Sequence, residues 1–342
     1  MVLAVGAATI RAESAPPPPP DHWLGLLGRY VHGEDPFLIR EHDGHLELLR
    51  HDEILRLVED TPNAWHVAGE NLPAHVHLEF SRDAHGFARH CRLGEREFQR
   101  EFYGPETGRT FRITPVRPVE DLRRAARQAQ PPAEKGAFIP ADLVEVRTLE
   151  PSIRLDIRYA TTDNFMGAAF YDEPRAFLQR PAAQALARVH RSLRPRGYGL
   201  LIFDAYRPWS VTKMFWDATP AAFKDFVADP IHGSRHNRGC AVDVTLVELA
   251  TGQPVDMGGS FDEFSERSAP DYPGGTSRQR WHRCLLQRAM AAEGYSVYEH
   301  EWWHYDFQVW PRYAILNIAF REIAPADRQP AQEAPRPQPL PE

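Results

Sequence analysis

The pattern of hydrophobic and polar residues divides the chain into two halves of different character. From His22 to about Val116, short alternating runs are separated by turn residues, as is typical of antiparallel strands. Predicted strands at 36–41 and 45–50 flank the hairpin signal His42-Asp43-Gly44, strands at 74–80 and 86–93 flank a second turn, and a strand at 110–114 would close the set. We therefore predict a small all-β domain, a barrel or a curled sheet, over residues 21–117.

The second half mixes helical and strand periods. The pattern predicts strands at 144–147, 153–159, 199–203 and 240–246, and helices at 181–193, 209–226 and 277–293. Residues 118–140 are charged and rich in alanine and proline, which predicts a linker with a short helix at 119–130. No glycine-rich phosphate loop is present, and the mixture fits an α+β domain over 141–325 with a mainly antiparallel sheet flanked by helices.

The composition is that of an ordinary globular protein, apart from 31 prolines. The net charge of −7 disfavours nucleic acid or an anionic membrane as a partner. Three cysteines are too few and too scattered to form a disulfide framework. Ten of the sixteen histidines lie in the first half, where no recognisable ligand spacing is completed, so we expect surface histidines there and not a second metal site.

The two ends of the chain have a different composition. Residues 1–14 form a short apolar run without a positively charged start, which could be a clipped export signal or a loose tail. The proline spacer that follows, within residues 1–20, favours export to the periplasm or cell envelope over a cytoplasmic location. The first-half domain could then associate with the envelope. Residues 326–342 are proline-rich and predicted to be disordered, and no stretch is suited to a transmembrane helix.

The candidate chemistry begins in residues 233–243. This stretch places an imidazole, His236, seven positions before a carboxylate, Asp243, with Gly239 between them to allow a sharp turn. The predicted strand at 240–246 would bury Asp243. A catalytic zinc site usually takes three protein ligands and leaves a fourth position for water, so a third ligand must come from elsewhere.

Residues 299–307 supply the best third ligand. They contain His304 and, three residues earlier, Glu301, which could act as a general base. His300 to His304 also fits the H-E-x-x-H pattern, in which a helix lets both histidines bind zinc. The aromatic and β-branched flanks favour a strand, so we predict His304 and not His300 as the ligand. In a regular strand residues 301 and 304 would face opposite sides, so a bulge or strong twist is required.

These residues resemble a known family. Ser234-x-His236-x-x-Gly239-x-Ala241-x-Asp243, followed by Glu301-Trp302-Trp303-His304, resembles the signature of the VanX-type D-alanyl-D-alanine dipeptidases, which are zinc peptidases. Residues 156–167, 197–208 and 256–262 extend the resemblance, which covers roughly Leu143 to Ile323 and nothing before it. The family shares its core fold with D-Ala-D-Ala carboxypeptidases, lysostaphin-like peptidases and the hedgehog signalling domain.

The resemblance implies a role for each candidate residue. One Zn²⁺ per chain would be held by His236, Asp243 and His304, with Glu301 as the general base and a small dipeptide as the substrate. Arg207 would stabilise the negative charge that develops on the scissile carbonyl oxygen, although a structural ion pair with Asp204 is the alternative. Asp262 would bind the substrate's free ammonium, and Ser234 would bind the substrate carboxylate or hold the turn.

Three other functions stay open. A carboxypeptidase or endopeptidase of the same superfamily would cut longer peptidoglycan peptides and would need an open cleft. A zinc module that has lost catalysis, as in hedgehog domains, would bind without turnover, although the presence of Glu301 argues against it. A zinc-dependent regulator that binds nucleic acid is not supported by the charge.

Overall fold

The computed structural model describes residues 14–68, 77–104 and 110–323, which form two compact units. The first unit contains the described residues up to 104 together with Val255–Leu286, and the second contains residues 110–254 and those from Gln287 onward. The predicted strand residues 74–76, the start of the N-terminal tail and the C-terminal tail lie outside the described residues. The domain boundaries at 117, 140 and 325 stay predictions.

The first unit contains a closed antiparallel barrel of eight strands. After a short helix, α1 (Asp21–Leu24), the strands are β1 (Gly28–His32), β2 (Asp35–His42), β3 (His45–Arg50), β4 (Glu53–Thr61), β5 (Ala64–Val67), β6 (His77–Arg82), β7 (Ala88–Leu93) and β8 (Arg96–Arg100). Each strand pairs with the next, and β8 pairs with β1. Large side chains such as Tyr30, Phe37, Trp65 and Phe98 fill the interior. The predicted all-β domain is therefore a barrel.

The predicted hairpin between β2 and β3 is confirmed. His42 pairs with His45, so the loop contains only Asp43 and Gly44, whose φ angles of 47° and 78° fit the mirror-image turns that match strand twist. The strand predicted at 110–114 is wrong, because β8 closes the barrel and the Ile113 amide donates to the Phe165 carbonyl within the second unit.

The second unit is built on a five-stranded sheet in the order β10-β12-β13-β15-β14. These strands are β10 (Arg154–Leu155), β12 (Tyr198–Asp204), β13 (Ala241–Glu248), β14 (Tyr295–Tyr298) and β15 (Glu301–Phe307). Only the β10–β12 pair is parallel, and β9 (Leu143–Glu145) pairs separately with β11 (Phe177–Gln179). This arrangement is consistent with the predicted α+β class.

The helices after the barrel are α2 (Val119–Gln128), α3 (Val146–Leu149), α4 (Arg180–Leu193), α5 (Trp209–Ala218) and α6 (Ser277–Ala291). The single helix predicted at 209–226 is wrong: α5 ends at Ala218, since Pro220 cannot continue it, and a 3₁₀ turn follows at Ala221–Phe226. The strands predicted at 144–147 and 153–159 shrink to β9 and β10, because short helical turns take their remaining residues. Among the described residues, no helix combines the length and hydropathy needed to cross a bilayer.

Gly239 fixes the entry to the central strand β13. It follows a 3₁₀ turn, His236–Arg238, and has a φ of 67°, which glycine adopts without strain. A Cβ atom at this position would lie 2.5 Å from Cδ2 of Leu143, so a side chain here would force the buried Leu143 to shift. Both the φ angle and the contact with Leu143 therefore favour glycine in the turn that precedes β13.

We expect Gly239→Ala to lower the free energy of unfolding by about 2–5 kcal/mol, from left-handed strain and overpacking together. Gly197→Ala is the matched control, because Gly197 has a φ of 83° but its built Cβ meets no heavy atom within 4 Å. That variant should lose only about 1–2 kcal/mol. Urea unfolding of both variants measures the difference, and equal losses would contradict the role of the Leu143 contact.

Candidate active site

Three adjacent strands place ionisable side chains in one row. Asp204 at the end of β12 pairs with Asp243 of β13, which pairs with His304 of β15. The β12–β13 register shifts between Ile202 and Asp204, and this irregularity brings the last residue of β12 opposite Asp243. All three side chains of the row are buried. The sheet register thus gathers charged groups that are distant in sequence.

His236 completes the cluster from the 3₁₀ turn before β13. Its Nε2 lies 3.0 Å from Nδ1 of His304 and 3.3 Å from Oδ1 of Asp243. The third edge, from His304 Nδ1 to Asp243 Oδ1, is 3.1 Å. The three predicted ligands therefore come together, each with one ligand atom directed to a common point.

Hydrogen bonds on the far side of each ring fix the histidine tautomers. Nδ1 of His236 lies 2.6 Å from the carbonyl oxygen of Ala205, which can only accept, so this nitrogen carries the proton. Nε2 of His304 is likewise 2.9 Å from the carboxylate of Asp306. In the neutral rings, His236 Nε2 and His304 Nδ1 therefore present lone pairs toward Asp243.

The electrostatics of the cluster favour a cation. Burial opposes a charge on His304, but hydrogen bonds that the ring donates to the carboxylates of Asp243 and Asp306 raise its pKa to about 10. Burial likewise disfavours the ionised form of Asp243, yet His236 and His304 hold its pKa well below the usual range. Positive charge is stabilised where the lone pairs converge.

The cluster fits a divalent metal ion. Its edges of 3.0–3.3 Å are close to the separation of about 3.3 Å between ligand atoms of a tetrahedron with bonds of about 2.0–2.1 Å. Two imidazoles and one carboxylate are donors that zinc accepts, and three protein ligands would leave one position open.

Glu301 lies beside this cluster at the start of β15. Its Oε2 is 3.8 Å from Nδ1 of His304, and burial raises the pKa of Glu301 to about 7. The required irregularity is present: Val297 of β14 pairs with Tyr305, whereas the next residue, Tyr298, pairs with Glu301. The prediction of a strand is confirmed.

His300 lies outside the cluster. Its side chain is 56% exposed and its nearest ionic partner is Glu299, at 3.7 Å. The structure therefore gives no support to the helical H-E-x-x-H alternative.

Arg207 lies next to the cluster, just beyond β12. Its Nε and Nη2 are both 2.9 Å from Oδ2 of Asp204, and Nη2 is 3.7 Å from Oδ2 of Asp243. The guanidinium is buried and lies over the rings of Tyr159 and Phe215. The predicted ion pair with Asp204 therefore exists, and it holds the arginine beside the candidate metal ligands.

Two supporting carboxylates were missed or undervalued by the sequence analysis. No motif marks Asp306, although its position two residues after His304 puts both on one face of a strand. The sequence predicts Asp204 only as a partner of Arg207, but its Oδ1 also accepts a hydrogen bond of 2.8 Å from the Tyr171 hydroxyl. No sequence motif marks that contact.

The two candidate substrate-binding residues lie in different units. Ser234 Oγ accepts a hydrogen bond of 3.2 Å from the His236 amide, so this side chain holds the turn. Asp262 lies in the first unit, in Val255–Leu286, and is buried with a φ of 58°. Contact with substrate stays a prediction for both residues.

Comparison with known proteins shows that the chain is a peptidase. A family model described as D-Ala-D-Ala dipeptidase, of the M15 peptidases, matches residues 140–315, just over half of the chain. The chain belongs to the D-alanyl-D-alanine dipeptidase family, as its resemblance predicted.

Curated relatives carry the same name. The chain is 35% identical over 179 residues to the D-alanyl-D-alanine dipeptidase of Escherichia coli K12, a match that covers 52% of this chain and 91% of the relative. It is 34% identical over 174 residues to the enzyme of Enterococcus faecalis (45% and 85%) and 34% identical over 191 residues to that of Streptomyces coelicolor (50% and 93%). Less than a tenth of the E. coli protein lies outside the match, which is too little for an eight-stranded barrel.

We expect Asp306→Asn to weaken divalent metal binding by about 10–100-fold, because the amide still accepts a hydrogen bond but no longer stabilises the His304 ligand by charge. His300→Ala, at the exposed position on the same segment, should bind metal as the parent protein does. Competition with a chelator measures both affinities. Equal affinities for Asp306→Asn and the parent would contradict this role of Asp306.

Proposed function

We propose that the protein is a zinc-dependent dipeptidase that hydrolyses D-alanyl-D-alanine to two molecules of D-alanine. The observation that carries this proposal is the convergence of His236, Asp243 and His304 beside Glu301. The names of the relatives support the substrate, and the donor set supports zinc as the metal. One ion per chain would be held by these three ligands.

Zinc held by His236, Asp243 and His304 would supply a Lewis acid that makes water more acidic. Glu301 takes the proton of the attacking water while the water oxygen adds to the scissile carbonyl carbon. Glu301 then gives this proton to the leaving amine as the carbon–nitrogen bond breaks, so the same carboxyl serves as base and acid. Burial raises the pKa of Glu301 above its ordinary value, which makes its carboxylate a better proton acceptor than that of an exposed glutamate.

Arg207 would stabilise the transition state. As water adds, the carbonyl oxygen takes on negative charge, and a fixed guanidinium beside it lowers the barrier by roughly 3 kcal/mol or more. The ion pair with Asp204 holds the guanidinium in place before the substrate arrives, so little reorganisation is needed during the reaction.

The two ends of the substrate would be recognised separately. Asp262 would bind the free ammonium, which a longer peptide lacks at this position, and Ser234 would contribute to the carboxylate end. Recognition of both ends limits the substrate to a dipeptide.

Zinc stoichiometry measured together with turnover tests the proposal. We expect one zinc ion per chain, turnover of D-Ala-D-Ala, and little or no turnover of L-Ala-L-Ala or of a pentapeptide that ends in D-Ala-D-Ala. Preference for the pentapeptide would indicate a carboxypeptidase and not a dipeptidase. Bound zinc without any turnover would indicate a binding module.

We expect Glu301→Gln to keep its zinc but to lose at least about 10²–10⁴-fold in kcat, because the amide cannot take the proton from water. Glu299→Gln is the matched control, since Glu299 has a side chain that is 81% exposed. Metal analysis and steady-state kinetics measure the two effects. Undiminished turnover of Glu301→Gln would remove this residue from the mechanism.

The activity should also depend on pH through Glu301. The base works only when ionised, and burial raises its pKa to about 7, so kcat/KM should fall as the pH drops through this region. A bound dication favours the ionised carboxylate and moves the midpoint to lower pH. A pH profile of kcat/KM whose acidic limb has its midpoint clearly above 7 would contradict this assignment.

A further inference from the structure

We propose that the β-barrel is a positioning element for substrate recognition, and that Glu41 on strand β2 is the residue through which it holds the segment that carries Asp262. This inference rests on the proposed function, because it assumes that Asp262 binds the substrate ammonium.

The β2–β3 hairpin contacts the start of helix α6 within the first unit. The Glu41 side chain is buried, and its Oε2 accepts a hydrogen bond of 2.7 Å from the amide of Ser277, the first residue of α6. The main-chain groups of Glu41 add two more bonds, to the Gly275 carbonyl at 3.0 Å and from Arg280 Nη2 at 2.7 Å. A barrel carboxylate thus satisfies an end amide of α6 and complements the positive end of its dipole.

The first two turns of α6 bind both ends of the loop at residues 256–272, which contains Asp262. Gln279 Nε2 donates to Asp256 Oδ2 at 2.7 Å. The guanidinium of Arg283 donates to the carbonyl oxygens of Met257 at 2.5 Å and of Tyr272 at 2.6 Å. Both ends of the loop are therefore fixed by the helix that Glu41 caps.

Within the loop, the residue after Asp262 is held by a buried network. Glu263 is fully buried and accepts from the amide of Ser260 at 3.1 Å and from Ser265 Oγ at 2.5 Å. Arg267 Nε lies 3.3 Å from Glu263 Oε1 and donates to the Gly258 carbonyl at 2.9 Å.

Asp262 itself has a φ of 58°, in the left-handed region that aspartate adopts more readily than most residues but still at some cost. The loop sets the backbone conformation of Asp262 and so the point from which its side chain extends. Since the matched part of the E. coli relative leaves no room for a barrel, the bond-breaking chemistry of the family does not need one. The barrel should act on substrate affinity and not on the chemical step.

The first test is the steady-state kinetics of zinc-loaded, full-length Glu41→Ala and Glu41→Gln with D-Ala-D-Ala. We expect KM to rise about tenfold in Glu41→Ala, and less in Glu41→Gln, with kcat within about twofold of the parent. Glu53→Ala is the control, because Glu53 is an exposed carboxylate on the same barrel. An unchanged KM in both Glu41 variants would overturn the inference.

The second test asks whether Glu41 acts through Asp262. In a Glu301→Gln background, calorimetric titration with D-Ala-D-Ala should show weaker binding for Glu41→Ala and for Asp262→Asn, and no further loss when the two are combined. Additive losses would mean that Glu41 acts by another route and would overturn the inference. An effect of Asp262→Asn with none of Glu41→Ala would also overturn it. If Asp262→Asn has no effect, both the inference and the proposed ammonium contact fail.

Hydrogen–deuterium exchange separates loop support from general folding. Amides of residues 256–268 should exchange faster in Glu41→Gln than in the parent, while those of β12 and β13 stay protected. The conservative glutamine keeps the side-chain volume, so this readout remains available if Glu41→Ala does not fold. Unchanged exchange in the loop would overturn the inference.

Discussion

The site depends on three lone pairs that point at one another inside the protein. Two imidazole nitrogens and a carboxylate oxygen within 3.0–3.3 Å would repel in a buried site unless a positive charge lies among them. The outward N–H group of His236 donates a hydrogen bond to the Ala205 carbonyl, and that of His304 donates to the Asp306 carboxylate. These bonds leave the other nitrogen of each ring directed at the cluster. The raised pKa of His304 has the same origin, because a proton on this ring supplies the positive charge that the cluster favours.

The surrounding structure serves to keep this arrangement rigid. Strand β13 lies in the interior of the sheet and is buried along nearly its whole length, so Asp243 has no freedom to move toward water. Gly239 sets the direction in which the chain enters this strand and so places His236. The Arg207–Asp204 ion pair lies at the end of β12, the strand that pairs with β13 on its other side from β15.

Local sequence patterns predicted much of this arrangement. Apolar runs identified β12 and β13, and the aromatic flanks of His304 identified a strand with an irregularity. The patterns failed where distant contacts decide the outcome. Residues 110–114 alternate like a strand but bond to Phe165, and Asp306 gains its role only from the orientation of a ring two residues away. The sequence also did not predict that Val255–Leu286 belongs to the same unit as the barrel. A single glutamate on β2 does not reveal that its partner lies more than 200 residues later in the chain.

The discontinuity of the first unit affects how the chain folds during synthesis. Strand β8 ends at Arg100, but Leu286, the last residue of the unit, follows about 190 residues later. At roughly 5–20 residues per second the ribosome needs on the order of 10–40 s to make that stretch. In this interval the aromatic interior of the barrel can already form, whereas the carboxylate of Glu41 must stay hydrated while it waits for α6. During this interval the Glu41 carboxylate of the nascent barrel is therefore exposed, until a later part of the same chain, α6, covers it.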